Sequence, residues 1–186
     1  MAQLTNSTRT TPRPYRSRKG DYSVWTFDAS TAISTAVIKY GDVVQFDVNV
    51  TTHFNKIVKS STMANVPNVV STALLGVAVS GGTGDGSTTA GQGYPEKIQV
   101  CLADAATEFL FPTKQAGADH GSSLVGLRKA IGYDSTLGMF YLDMANSTAG
   151  DATVIITECI EPGTTNGQYV AKFLSTNTAR FVSAAF

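Results

Sequence analysis

Three neighbouring residues, Asp119, His120 and Ser122, carry the side chains of a hydrolytic site: an acid, an imidazole and a hydroxyl. In a serine hydrolase these groups come from separate segments of the fold, and an oxyanion hole stands beside the serine. Here they follow one another in a single stretch, and no GxSxG pattern surrounds the serine. The sequence therefore predicts that the chain is not an enzyme, and a hydrolase built on these residues is kept as an alternative to test.

The stretch 81–86, GGTGDG, suggests a second kind of chemistry, the cradling of a phosphate by backbone amides. It lacks the Gly-Lys-Ser/Thr ending of a phosphate-binding loop, and no helix pattern follows whose N-terminus could meet the phosphate. We interpret it as part of a surface loop over 80–95. The sequence predicts no bound cofactor.

The histidines, cysteines and acids do not form a metal-binding pattern. His53 stands alone, and with two histidines in the chain a histidine-based site is not expected. Cys101 and Cys159 lie in separate strand-like runs without a CxxC motif, which predicts two free, half-buried thiols in a reducing cytosol. Three scattered acids, Asp42, Asp47 and Asp85, lack EF-hand spacing. Asp104 and Glu108 are interpreted as solvated acids at a strand edge. No metal site is predicted.

Charge is distributed unevenly along the chain. Residues 1–20 hold five basic residues and no acid, a net of +5, whereas 21–186 holds nine basic and fourteen acidic residues, a net of −5. The first segment has no apolar periodicity and contains Pro12 and Pro14, so we predict an extended arm over 1–20 and a β-rich body over 21–186. A basic arm on an acidic body is suited to an acidic partner surface. The residues predicted to contact the partner are Arg9, Arg13, Tyr15, Arg16, Arg18 and Lys19.

A protein is the expected partner of this arm. Five cations could attract phosphates, but the acidic body would repel nucleic acid, and Tyr15 is the arm's single aromatic residue for base stacking. The arm could instead add a strand to another subunit's sheet or lie in a groove; a terminus without any role is the alternative. No secretory signal is expected, because the N-terminus has no apolar stretch. No membrane span is expected either, because the most apolar stretch, Val69–Val79, is broken by Ser and Thr and has about 11 residues against the roughly 20 needed to cross a bilayer.

The body repeats one pattern, short apolar runs separated by Gly, Asn, Asp, Ser or Thr. In Val37–Val50 the second half alternates, with Val44 and Phe46 on one side and Gln45 on the other, which predicts a strand with one buried and one solvated face. A turn at Gly41-Asp42 leads into it. Further strands are expected at 22–27, 54–59, 69–79, 96–103, 108–111, 139–143, 153–159, 168–174 and 180–182, while 124–133 is ambiguous and 60–66 is a weak helix candidate.

This pattern predicts an all-β fold, a small antiparallel β-barrel or sandwich of about nine or ten strands. Trp25, the single tryptophan, is expected to pack in the core, and with Tyr22 to mark where the arm meets the body. Charged residues make up 15% of the chain, below the about 25% of typical domains. A weakly charged, Thr-rich surface of this kind is common in assemblies.

Several short motifs occur in a suggestive order. They are GDVV at 41–44, LLGVAV at 74–79 before the Gly-rich loop, IQV at 98–100, VGL at 125–127, FYLD at 140–143 and GQYVAKFL at 167–174. Together they resemble the head decoration, or cement, proteins of tailed bacteriophages.

The resemblance implies a β-barrel or β-tulip body that binds the major capsid protein on the outside of an expanded icosahedral head. It further implies a homo-oligomer, with a trimer favoured, whose arms reach over neighbouring capsid subunits and stabilise the shell. The expected location is the outer surface of the virion, after synthesis in the host cytoplasm. The alternative is a tail-fibre or receptor-binding β domain that recognises glycans through the loops at 80–95 and 113–123.

Overall fold

The computed structural model describes residues 11–29, 38–46, 56–59, 74–82, 97–113, 121–134, 138–144, 152–160 and 167–174. These residues form eleven β-strands and one 3-10 turn, Ser122–Leu124, so the all-β class expected from the sequence is confirmed. The predicted helix candidate at 60–66 and the predicted strand at 180–182 lie outside the described residues. The strands are β1 (Arg13–Ser17), β2 (Val24–Ala29), β3 (Val43–Phe46), β4 (Lys56–Lys59), β5 (Leu74–Ala78), β6 (Lys97–Leu102), β7 (Thr107–Pro112), β8 (Arg128–Asp134), β9 (Met139–Asp143), β10 (Val154–Cys159) and β11 (Gln168–Phe173).

Six strands form an antiparallel sheet in the order β1-β7-β11-β10-β8-β9. A bridge between Thr113, just past β7, and Leu142 of β9 brings the last strand of the sheet back toward the second. The inner face of this curved sheet is aromatic. Phe109 and Phe111 of β7 both pack edge-on against Phe173 of β11, with ring centroids 5.3 and 5.9 Å apart, the geometry that aromatic quadrupoles favour.

The other five strands pair in a ring, β2-β4-β3-β5-β6. Four of the five pairs are antiparallel; the short pair between β2 and β4 is parallel and closes the ring. Alternate residues of β2 and of β6 point into it. On β6 these are Ile98, Val100 and Leu102, the three residues that the sequence pattern predicted to face inward.

Two apolar cores hold the chain together, and three strands contribute to both. One core fills the ring and includes Val44 and Ala78. The other lies between the ring and the curved sheet and includes Val43 and Val77 with the sheet's aromatic residues. Neighbouring residues of β3 and of β5 thus lie in different cores. A strand buried on both faces needs a continuous apolar run, which the sequence LLGVA of β5 provides.

The prediction that one face of β3 is solvated is wrong. Val43, Val44 and Gln45 are all buried, and Gln45 is 0% exposed. Alternation showed correctly that the two sets of side chains point to opposite faces. It could not show that the second face is covered by the curved sheet.

Gly76 lets β5 and β6 approach closely. A Cβ atom at this position would lie 2.0 Å from the carbonyl oxygen of Cys101 on β6, closer than any side-chain atom can approach. The β3–β5 ladder also shifts register beside this glycine. Val44 pairs with Gly76 and the next residue, Gln45, pairs with Leu74, so β5 carries one extra residue; such a bulge bends and twists a strand. The glycine is therefore a packing requirement of the ring.

The turn predicted at Gly41-Asp42 is confirmed. The Asp42 amide donates to the Lys39 carbonyl (3.0 Å), and an Asp42 carboxylate oxygen accepts from the Lys39 amide (2.8 Å). Gly41 has φ +87°, which a glycine adopts without strain. A Cβ at Gly41 would also lie 2.4 Å from the Cβ of Thr11. Residue 11 therefore lies directly against this turn.

Candidate partner-binding segment

The second half of the predicted arm lies on the body of the same chain. Residues 13–17 form β1, an edge strand that the sequence pattern did not predict, and pair with β7 from Arg13 opposite Leu110 to Ser17 opposite Thr107. The register shifts between Pro14 and Arg16. A proline and a bulge are both tolerated at a sheet edge, because one side of an edge strand forms no ladder. These two features also hid the strand from a search for alternating apolar residues.

Four charged side chains form a network across four neighbouring strands, which we call the charge ladder: Arg16, Glu108, Lys172 and Glu158. The Arg16 Nε atom pairs with Glu108 of β7, and its Nη1 atom lies 2.8 Å from a carboxylate oxygen of Glu158 on β10. Lys172 of β11 lies 3.5 Å from the other oxygen of Glu108. The first strand is thus tied to the sheet by charge as well as by its backbone.

Glu108 is the central group of the ladder. Its side chain is 1% exposed, so the prediction that it is a solvated strand-edge acid is wrong. Burial raises the pKa of a carboxyl group, but here the hydrogen bond from Arg16 and the charges of Arg16 and Lys172 outweigh burial and lower the pKa of Glu108 below its usual value. The carboxylate is therefore ionised at neutral pH, and a buried charge of this kind requires its partners.

A second ion pair fixes the end of β1. Lys19 Nζ lies 3.6 Å from a carboxylate oxygen of Asp104, and the Arg18 amide donates to the Ala106 carbonyl at 3.1 Å. Asp104 also accepts from the amides of Ala106 and Thr107, at 2.9 and 2.7 Å. Burial raises the pKa of Asp104, but these hydrogen bonds and Lys19 together lower it.

The six residues predicted to contact a partner differ in their surroundings. Arg16 and Lys19 form ion pairs within the chain. Arg13, Tyr15 and Arg18 are exposed, and none of the ion pairs among the described residues involves Arg13 or Arg18. Arg9 lies outside the described residues. The acids that bind Arg16 are distant in sequence, and no local signal marks them as its partners.

Large apolar side chains are exposed at the start of β2. Trp25 is 51% exposed, and Tyr22 and Val24 are exposed beside it, so the expected core role of Trp25 is wrong. Trp25 lies opposite Val100 in the β2–β6 ladder and shares the inner face of β2 with the buried Phe27, two residues along. Trp25 lies at the end of the five-strand ring, and this position leaves half of its indole side chain uncovered.

The other sequence candidates do not come together as a site in the described residues. Asp119, His120 and His53 lie outside them, as does most of the glycine-rich loop, while Ser122 is exposed in the 3-10 turn. No group of three or more potential metal ligands occurs in the part of the chain that the structure describes. Cys101 is buried and Cys159 half-buried, both as free thiols. The described residues contain no helix that is long and apolar enough to cross a membrane.

Comparisons with protein-family models, with curated proteins and with solved structures found no match to this chain.

Proposed function

We propose that this chain is a decoration protein of a virus capsid, which binds the outside of the mature icosahedral head and stabilises it. The observation that supports this most is the charge ladder, because it fixes the base of a basic N-terminal segment on the body. Residues 1–10 then start from a defined point, with Arg9 among them and with Arg13, Tyr15 and Arg18 exposed beside it. Ten residues can span up to about 35 Å, enough to reach over a neighbouring subunit.

An arm whose base is already ordered on the body binds a partner at a lower entropy cost. Ordering a backbone costs about 1–2 kcal/mol per residue, and the residues of β1 are already ordered before a partner arrives. The remaining residues need to gain strand pairing or charge contacts with the partner. In this proposal the partner is the major capsid protein, and its surface at the contact is acidic.

The stabilisation is physical. A protein that binds the expanded lattice and not the unexpanded one shifts the equilibrium toward the expanded form by mass action. The ring and curved sheet are the β-barrel or β-tulip body of this proposal. A homo-oligomer, with a trimer favoured, would place several arms around one site, and such multivalent contacts strengthen binding without a new interface.

The test is a truncation that removes residues 1–10 and keeps β1. Removing residues 1–20 would also uncover Glu108, and a loss of binding could then come from a damaged body. We expect the shorter truncation to keep the unfolding midpoint of the full chain and to lose binding to purified particles in a co-sedimentation assay. A second variant, Arg13→Ser with Arg18→Ser, should bind more weakly and with a smaller dependence on salt. Unchanged binding by the truncated chain would overturn the role of the arm.

A second candidate function is supported by the exposed aromatic side chains at the start of β2. In a tail-fibre or receptor-binding domain, Trp25 and Tyr22 could offer a platform to a glycan, although Trp25 lies on β2 and Tyr22 just before it, and neither lies in the glycine-rich loops expected from the sequence. A glycan array on the full chain tests this. A signal that disappears in Trp25→Ala and survives removal of residues 1–10 would favour the receptor-binding function over decoration.

A further inference from the structure

We propose that β1 exchanges between copies of this chain, so that β1 of one copy pairs with β7 of the next in the register seen here within one copy. The partner is therefore a second copy of the same protein. The inference rests on the proposed function in one respect, namely that a shell surface holds copies close together; the exchange itself is a property of the chain.

The chain has a hinge between β1 and the ring. The last contact on the β1 side is the ion pair of Lys19 with Asp104. The first on the ring side is the Ser23 carbonyl, which accepts from the Leu102 amide at 2.8 Å. The residues between them, Gly20–Tyr22, are all exposed. Gly20 has φ +94°, which a glycine adopts without strain, and its amide donates to the Ser17 carbonyl at 3.2 Å, so the chain turns at this point, directly after β1.

The contacts that hold β1 can form equally well between copies. They join residues far apart in the sequence: Arg16 pairs with Glu108 and Glu158, and Lys19 with Asp104. Every copy carries the same acidic acceptor on its β7 edge. β1 itself is largely exposed and contributes no residue to either apolar core. Besides the packing of Thr11 and Pro12 against the Gly41 turn, ladder hydrogen bonds and charge hold the strand, and none of these contacts depends on chain continuity.

The charge pattern selects exchange over simple stacking of copies. Two β1 strands placed edge to edge would bring arginines together and meet Pro14, which lacks an amide donor. The β7 edge offers buried Glu108 with the two further acids, Glu158 and Asp104. The acids on the β7 edge favour pairing with β1 of another copy. The like charges on two β1 strands disfavour pairing of β1 with β1.

Concentration decides between the closed and the exchanged forms. The contacts made are the same in both, so their free-energy difference comes mainly from the hinge and from bringing two copies together, as in other domain swaps. A short flexible tether corresponds to an effective concentration in the millimolar range. Copies that are fixed side by side on a shell have a similar effective concentration.

The experiment uses two full-length variants in a Cys159→Ser background, each with one introduced cysteine. One carries Ser17→Cys and a size tag, and the other carries Thr107→Cys. These positions are opposite each other in the β1–β7 ladder, where Cα atoms lie within disulfide range. A disulfide in the ladder register can join the two variants only if β1 crosses to a second copy; random collision gives a background that a control pair measures. Cys101 stays in place because it is buried and because burial, then the charge of Asp104, raises its pKa to about 12.

We expect the tagged–untagged disulfide on a non-reducing gel after the two variants are mixed at about 1 mM and oxidised, at about tenfold the level of a control pair in which Asp21→Cys replaces Ser17→Cys. Dilution to micromolar concentration before mixing should reduce it. Equal amounts in test and control pairs would overturn the exchange. Particle binding is measured separately on the unmodified chain, so a failed exchange and a failed decoration function give different results.

A hinge deletion makes a second test. Removing Gly20–Tyr22 shortens the connection so that β1 cannot return to its own β7, and we expect dimers or larger closed oligomers in light scattering. Restoring the length with Gly-Ser-Gly should restore the monomer fraction of the full chain. A monomer from which protease removes residues 1–19 would overturn the proposal, because it would show that β1 stays unpaired when its own β7 is out of reach.

Discussion

Arg16 on the first strand pairs with the buried carboxylate of Glu108, 92 positions later in the chain. The arginine is half exposed, whereas the acid is 1% exposed. The pair thus joins a segment that the sequence marks as an arm to the interior of the body. Its unequal burial determines what each substitution should do.

Replacing Arg16 should destabilise the protein more than its exposure suggests. In Arg16→Ala the buried Glu108 loses its closest partner and keeps only Lys172, and leaving a buried group unsatisfied costs about 1–3 kcal/mol. The free energy of unfolding from urea titration followed by circular dichroism measures this. Arg13→Ala is the matched control on the same strand, and its effect should stay within about 0.5 kcal/mol. Equal effects of the two substitutions would contradict the ladder.

The ladder should also make stability depend on pH in the acid range. The pKa of Glu108 and that of Asp104 are lowered in the folded state. Their contributions are therefore complete above the unfolded-state values, about 4, and decline as the pH falls through the folded-state values. We expect the urea midpoint to fall steadily below about pH 4.5. Besides the partners Arg16, Lys172 and Lys19, the acid Glu158 faces this cluster, 2.8 Å from Arg16.

The variant Glu108→Gln separates the contribution of this one residue. It removes the charge and keeps the shape, so the free energy of unfolding at pH 7 should drop. The decline below about pH 4.5 should become shallower, because one carboxyl group no longer takes up a proton in that range. A decline as steep as that of the unchanged chain would mean that other acids, and not Glu108, control the acid response.

Gly76→Ala should be strongly destabilising. Its Cβ would lie 2.0 Å from the Cys101 carbonyl oxygen, and backbone atoms of a closed ring cannot move aside as a flexible side chain would. Overpacking in a core costs about 1–3 kcal/mol, and we expect the upper end in thermal unfolding. Gly121→Ala is the control, because its nearest neighbour is the Ser123 hydroxyl at 3.3 Å. If both variants unfold at the same temperature, β5 and β6 are not as close as described.

Trp25 should be nearly dispensable for stability even though it is the largest apolar side chain in the sequence. It is half exposed, whereas Phe27 on the same face of β2 is buried. Phe27→Ala should cost about 3–5 kcal/mol, the range for a buried aromatic residue, and Trp25→Ala about 1 kcal/mol or less. Circular dichroism in urea compares them without using tryptophan fluorescence. A large loss in Trp25→Ala would indicate that the ring end is covered.

The sequence predicted the strands better than their surroundings. Short apolar runs bounded by turn residues gave β6, β9, β10 and β11 to within one or two residues, because both the alternation and the turn chemistry are local. The burial of Gln45 was missed because it depends on a second layer built from strands far along the chain. β1 was missed because a proline-containing edge strand has no apolar pattern of its own.

The same limit applies to the candidate segment. Its basic composition is visible in residues 1–20 alone, so the sequence could predict a charged arm. The acids that hold Arg16 on the body come from β7 and β10, and only the sheet order brings them together. Composition can show that a segment is suited to bind an acidic surface. It cannot show that part of that surface belongs to the same chain.

The three strands that serve both cores make the body indivisible. A fragment containing only the ring would expose Val43, Val77 and Cys101, which now lie against the curved sheet, and an apolar surface of that kind promotes aggregation. The curved sheet alone would lose the cover over its aromatic face. Neither part is therefore expected to fold when it is expressed by itself, so the ring and the curved sheet have to be produced as one unit.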